Sequence, residues 1–148
     1  METPDHIDLT GKIRKLTEHP CAYGSYGDIY KCLYDSTSGT IEVAVKALRF
    51  SLTLNQGEES SGGTLPESFR RELGIWRRLD HPNIVPFLGT TTGFGPYTSM
   101  VAMWMPNGTL HAFLEKHGDG LSITDQFGLL QGIARGLEYP GEQFTLAT

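Results

Sequence analysis

A chain of 148 residues with 39% apolar and 20% charged residues falls outside the weakly hydrophobic, highly charged class that stays disordered, and its length suits one ordinary domain. The net charge of −5 argues against an electrostatic duplex nucleic-acid binder, because the dense basic cluster Arg70, Arg71, Arg77 and Arg78 has Glu67 and Glu72 among it. The first ten residues are acidic with no apolar core, and the longest apolar run, 100–106, is far shorter than the ~20 residues of a membrane helix, so no export or membrane segment is expected and the expected compartment is the cytoplasm or nucleus.

In chain order, residues 12–22 mix β-branched and polar residues, Ala22-Tyr-Gly-Ser-Tyr-Gly27 supplies a turn, and 28–34 alternates in Ile and Tyr; this predicts a hairpin with an oversized glycine loop. Cys21 and Cys32 flank the loop and could face each other across it, although cytosolic thiols stay reduced. The histidines are scattered, no stretch has zinc-ligand spacing, and no metal is expected on the side chains present. Residues 41–50 alternate as a third strand, with Val43, Val45 and Ala47 on one face and Ala44, Lys46 and Leu48 on the other. Residues 51–63, rich in Ser, Gly and acids, read as a mobile surface loop.

Thr64-Leu-Pro-Glu67 has the form of a capping box, and Phe69, Leu73, Trp76 and Leu79 recur at helical spacing, which predicts a helix to about Asp80, stopped by His81-Pro82-Asn83. Glu72 lies beside that apolar stripe. Two more strands are expected at 84–89 and 97–105, joined by a loop with two glycines and a proline. Asn107-Gly108 breaks the second, and helices follow at 110–116 and 124–139, the latter ended by Pro140-Gly141.

Chemistry concentrates in the first half. Ala22-x-Gly24-x-x-Gly27 is close to a dinucleotide fingerprint, but that fingerprint needs a helix after its last glycine, and a strand follows here. Strand, glycine loop and strand is instead the geometry of a flap whose backbone can lie over phosphates, although an ordinary hairpin loop is the commoner meaning of the pattern alone. Lys46 shares its strand face with Ala44, so a small residue leaves room for a flat ring while the ammonium reaches past it to phosphate. Glu72, on the next helix, is the natural counter-ion. Taken singly, an exposed strand lysine and a solvated helix glutamate are the commoner cases.

The order of several motifs resembles the protein kinase family. Gly24-Ser-Tyr-Gly27-Asp-Ile29 looks like its phosphate flap, Val43-Ala-Val-Lys46 like its lysine strand, and Glu72 stands nine residues before His81-Pro-Asn-Ile-Val85. Met100-Val-Ala-Met-Trp-Met105 followed by Pro-Asn-Gly108-Thr-Leu110 is similar to the last sheet strand and hinge, and Gln131-Gly-Ile-Ala-Arg-Gly-Leu-Glu-Tyr139 to the helix that leads to the catalytic loop. The wording leans towards the tyrosine-kinase-like branch. The resemblance implies an α+β fold: an N-terminal lobe with a five-stranded antiparallel sheet and one helix over 12–106, the first two helices of an incomplete helical C-terminal lobe over 107–139, an N-terminal extension at 1–11 and a divergent tail at 140–148. It also implies an ATP site in which Gly24 and Gly27 cover the phosphates, Ile29 and Ala44 pack on adenine, Lys46 meets the α and β phosphates with Glu72 as partner, backbone groups of Met103 and Met105 bond the adenine edge, and Ala102 is a small gatekeeper. Ala22 stands where the flap's first glycine is usual.

After Tyr139 the sequence departs from the family, and it contains no His-Arg-Asp and no Asp-Phe-Gly. The resemblance therefore assigns no catalytic residue and no Mg²⁺ ligand here, and implies a truncated protein kinase domain that binds ATP, if weakly, without transferring phosphate alone. The alternative is a kinase-like binding or regulatory module. Leu130, Ile133, Ala134 and Leu137 give the last helix an apolar stripe, and Gly128, Gly132 and Gly136 form a ridge suited to close packing. Both are expected to await later helices, so this helix should fray, self-associate or take a protein partner; no nucleic-acid or membrane partner is expected.

Overall fold

The computed structural model describes residues 7–24, 27–49 and 67–145, with 67–69 and 140–145 described by backbone alone. The chain divides into two units, one of Met1–Arg78 and Phe87–Trp104, the other of Leu79–Pro86 and Met105–Thr148. Ser25 and Tyr26 at the glycine-loop tip, the segment expected to be a mobile loop, and Thr64 and Pro66 of the expected capping box lie outside the described residues.

The first unit is an antiparallel sheet with one helix. Strands β1 (Ile13–Lys15) and β2 (Ala22–Tyr23) both pair with β3 (Gly27–Ser36), which pairs along its length with β4 (Gly39–Leu48). Helix α1 (Glu67–Trp76) precedes β5 (Phe87–Thr91) and β6 (Ser99–Met103), and the sheet runs β1-β3-β4-β6-β5. Six strands stand where five were expected because the first is split. Leu16 N–H still donates to Lys31 O at 3.2 Å and Cys21 N–H to Ile29 O at 2.8 Å, so residues 17–20 bulge out opposite Tyr30 alone. Pro20 has no N–H for the ladder and biases His19, and the Thr17 hydroxyl closes the bulge on His19 O at 2.7 Å.

Other expected boundaries shift too, β6 covering only Ser99–Met103 of the expected 97–105. α1 stops at Trp76 rather than Asp80, as Arg78 N–H turns to Ile75 O at 3.0 Å in a tightened last turn. β5 begins at Phe87, three residues late, because Ile84 N–H bonds His81 O at 3.0 Å and Asn83 N–H bonds His81 Nδ1 at 3.0 Å, which curls this stretch into a turn.

Directly opposed residues of antiparallel neighbours point to the same face. One face carries Cys32, Val43, Val45 and Val101, each fully buried, with Tyr30, Tyr34 and Phe94 around them. Leu9 completes this cluster at 1% exposure, held by Leu9 N–H to Thr90 O at 2.7 Å and Thr90 N–H to Ile7 O at 2.9 Å. A lone leucine in an acidic stretch gave no periodic signal of that role. On the other face, Leu48 and Met100 pack under Leu73 of α1, with Trp76, Phe87 and Tyr97 beside them. Both thiols are free: that of Cys21 is exposed and donates to Ile29 O at 3.2 Å, while Cys32 is buried.

The second unit holds α2 (Leu110–His117), one 3-10 turn at Gly118–Gly120, and α3 (Ile123–Thr145). The Thr109 hydroxyl caps α2 by accepting from Ala112 N–H at 3.2 Å. Ser122 and Asp125 cap α3 reciprocally: Asp125 N–H donates to Ser122 Oγ at 3.1 Å, and Ser122 N–H to the Asp125 carboxylate at 2.9 Å. The Ser122 hydroxyl donates to the same carboxylate at 2.6 Å, and this bond, followed by the one from Ser122 N–H, lowers the pKa of Asp125. α3 does not end at Pro140-Gly141 but runs to Thr145. A proline removes one hydrogen bond from a helix already built through four turns, and the residue four positions back, where its ring crowds the backbone, is Gly136.

The glycine ridge of α3 meets a partner within this unit. A Cβ on Gly136 would lie 2.8 Å from Asn83 O, and one on Gly132 would lie 3.2 Å from Asn83 Nδ2. Beside them Tyr139 stacks on His81 at 4.9 Å, and Asp80 N–H donates to its hydroxyl at 3.3 Å. Gly132 and Gly136 of the ridge therefore pack on the 80–84 turn without later helices, whereas Gly128 has open space beside it. The apolar stripe is different: Leu130, Ile133, Ala134 and Leu137 are all exposed.

A lysine–glutamate pair on a small-residue sheet face

Register brings five of the sequence-derived site residues to one face of the sheet. Ala22 opposes Ile29, Ile29 opposes Lys46, and Lys46 opposes Met100; Ala44 opposes Ala102. Ala22, Ile29, Ala44, Lys46 and Ala102 thus share the face that α1 covers at its Leu48–Met100 end. Ala102 is 6% exposed, whereas Ile29 and Ala44 are half-buried and Ala22 is open. Small side chains on the two central strands leave this part of the face shallow.

Lys46 stands between the shallow part and α1. Its Nζ lies 2.9 Å from Glu72 Oε1, with 32% of the lysine side chain and 47% of the glutamate exposed. The apolar stripe of α1 seats Leu73 on the sheet, and the preceding residue then points towards β4. That is how helix periodicity sets the pair. An ammonium held by one carboxylate oxygen keeps donors for a second anion, the arrangement by which a lysine binds phosphate.

Gly24 and Gly27 close the loop between β2 and β3, with Gly24 N–H donating to Gly27 O at 2.8 Å. Gly27 is glycine for a reason the motif did not reveal: any Cβ there would collide with the backbone carbonyl of Ala47. Ala22 lies in an extended, paired strand, a conformation open to any residue, so the absent first glycine costs the hairpin nothing at that position.

Met103 ends β6. Trp104 N–H donates to Glu42 O at 3.3 Å, so alternation turns the backbone groups of Met103 away from β4, beyond Phe87, the last β5 residue paired with β6. Met105 belongs to the second unit, where its carbonyl accepts from Gly108 N–H at 3.0 Å. Among the described residues, no three His, Cys, Asp or Glu side chains gather into a metal-holding cluster.

Sequence reasoning missed three charged groups near the face. Lys31, opposite Ala44, pairs with Glu42 at 2.7 Å and lies 5.1 Å over the Trp104 ring, which holds it at the rim. Asp28 and Arg49 meet at 2.8 Å beside the glycine hairpin. No pattern marks them, since their partners come from other strands.

The sequence matches the family described as protein tyrosine and serine/threonine kinase over residues 17–144. The chain belongs to the protein kinase family. The kinase chain is 32% identical over 121 residues to serine/threonine-protein kinase STY46 of Arabidopsis thaliana, a match covering 82% of this chain and 19% of that protein. It is 33% identical over 102 residues to ephrin type-A receptor 3 of Danio rerio, with 69% and 9% covered. With ephrin type-B receptor 1-A of Xenopus laevis it shares 30% identity over 120 residues, with 80% and 11% covered. The kinase chain thus spans less than a quarter of the length of each of these relatives. The antiparallel sheet with α1 is consistent with the N-terminal lobe of a kinase, followed by the first helices of the C-terminal lobe. No described helix is long and apolar enough to cross a membrane.

Proposed function

We propose that the sheet face of Ile29, Ala44 and Ala102, with Lys46 held by Glu72, is the nucleotide-binding half of a protein phosphotransferase site whose nucleotide is ATP. The observation that carries this reading is the 2.9 Å Lys46–Glu72 pair beside a shallow, small-residue apolar face. A flat aromatic base suits a strip of alanines flanked by Ile29, and triphosphate suits the ammonium one pleat further along β4. Ile29 and Ala44 pack on the base, with Ala22 at the start of the flap beside them; Ala102 leaves depth behind the base as gatekeeper, and the backbone of Met103 pairs with its polar edge. Gly24 and Gly27 present backbone to the phosphates, while Lys46 meets the α and β groups.

ATP supplies the transferable phosphoryl group. These residues bind and orient it; they include no candidate base for a substrate hydroxyl and no carboxylate cluster for Mg²⁺, so no transfer step is assigned to them. The test is thermal unfolding of the full chain with ATP and of Lys46→Met. ATP at roughly 100 times its Kd should stabilise the wild type by about 2.7 kcal/mol and raise its Tm, and the variant should respond far less. Equal shifts in both proteins, or none in the wild type at millimolar ATP, would remove the reading.

A further inference from the structure

Arg49 leaves the end of β4 and reaches back across the glycine hairpin. Its Nη2 donates to Gly24 O at 3.0 Å and lies 2.8 Å from Asp28 Oδ1. Its guanidinium carbon stands 5.7 Å over the ring of Tyr23. Tyr23 and Gly24 belong to one arm of the hairpin and Asp28 to the other, so one side chain grips both arms from the neighbouring strand. Asp28 is only 19% exposed, and its Oδ1 is closed off from solvent with no hydrogen bond in good geometry. The charge contact with Arg49 is what offsets that burial. A planar fork can address a carbonyl, a carboxylate and a ring face together, which a lysine ammonium cannot.

We infer that Arg49 is a positioning residue that pins the glycine hairpin in place for the phosphates of the nucleotide. The inference rests on the nucleotide site proposed above. Glycine backbone loses more freedom on ordering than any other, so a ligand that must order the flap itself binds more weakly. Arg49 orders the two arms of the hairpin, at Tyr23–Gly24 and Asp28, before the ligand arrives, and its effect is confined to ligands that reach the hairpin.

The experiment compares ATP with adenosine, by titration calorimetry on the full chain, in the wild type, Arg49→Ala and Arg49→Lys, and measures amide hydrogen exchange in the absence of ligand. Arg49→Ala is expected to weaken ATP roughly fivefold to tenfold and to leave adenosine unchanged, with Arg49→Lys in between. In Arg49→Ala the Gly24 amide should exchange faster while Val45 and Val101 keep their protection. Unchanged exchange at Gly24 overturns the proposal. So does an equal loss of ATP and adenosine, which would report general damage, and so does full rescue of ATP affinity by Arg49→Lys with exchange still fast, which would report charge alone. If the wild type binds neither ligand, the nucleotide reading fails, and with it the purpose given to the clamp, while exchange at Gly24 still decides whether the clamp exists.

Discussion

Lys46 and Glu72 are too exposed for their ion pair to hold the fold together. A pair of that exposure contributes about 0.2–1 kcal/mol, whereas burying any one of Val43, Val45 or Val101 contributes ~1.5–3 kcal/mol. Glu72→Gln should therefore cost less than about 1 kcal/mol in chemical denaturation, yet weaken ATP in calorimetry, because its effect is to orient Lys46. Two other side chains give the protein a pH signature. The Arg14 guanidinium, with help from the Thr40 hydroxyl, lowers the Asp35 carboxyl from 3.8 to about 2. A depressed folded-state pKa means stability that is present above pH 3.8 and is lost as the pH falls through about 2, so Asp35→Asn should flatten that acid limb of a Tm–pH curve. Burial raises the Cys32 thiol from 9.0 to about 11. Here the unfolded chain loses its proton first, so this contribution is intact below pH 9.0 and declines up to about 11, and Cys32→Ala should show a shallower fall over that interval.

At the scale of elements, α3 makes the same residue type serve opposite ends. Gly136 faces Asn83 O at 2.8 Å for an added Cβ, whereas Gly128 has nothing within 4 Å. Gly136→Ala should destabilise by ~1–3 kcal/mol through forced displacement of the turn at Asn83, and Gly128→Ala should stabilise by ~0.5–1 kcal/mol through helix propensity. Urea denaturation of the two variants checks the signs; the same sign in both would contradict the packing described. The i, i+4 spacing made this ridge legible, but its partner was not, because a proline-containing turn has no periodicity to match against. Likewise the alternation of β3 and β4 announced the strands and the face of Lys46, while the bulge at 17–20 and the docking of Leu9 depend on pairing between distant residues. Gly27 was legible as a flap glycine but not as a residue pressed against Ala47.

For the whole molecule, the sequence motifs were informative because the site is assembled from neighbouring strands in one register. Val43 to Lys46 fixes a face, and the partners of that face, Ile29 and Ala102, follow from strand order. What lay beyond reading were the ion pairs of Lys31 with Glu42 and of Arg49 with Asp28, whose partners are set by strand geometry. The protein is a member of the kinase family, matched over residues 17–144, and the proposal that follows for the whole molecule is that one face of its sheet receives ATP. Methyl-detected NMR during an ATP titration tests this most directly, because the two faces carry different methyl groups. Saturable shifts are expected at the methyls of Ile29, Ala44 and Ala102 with those of Val43, Val45 and Val101 nearly unmoved; no saturable shifts, or shifts centred on the valine face, would rule out ATP on this face.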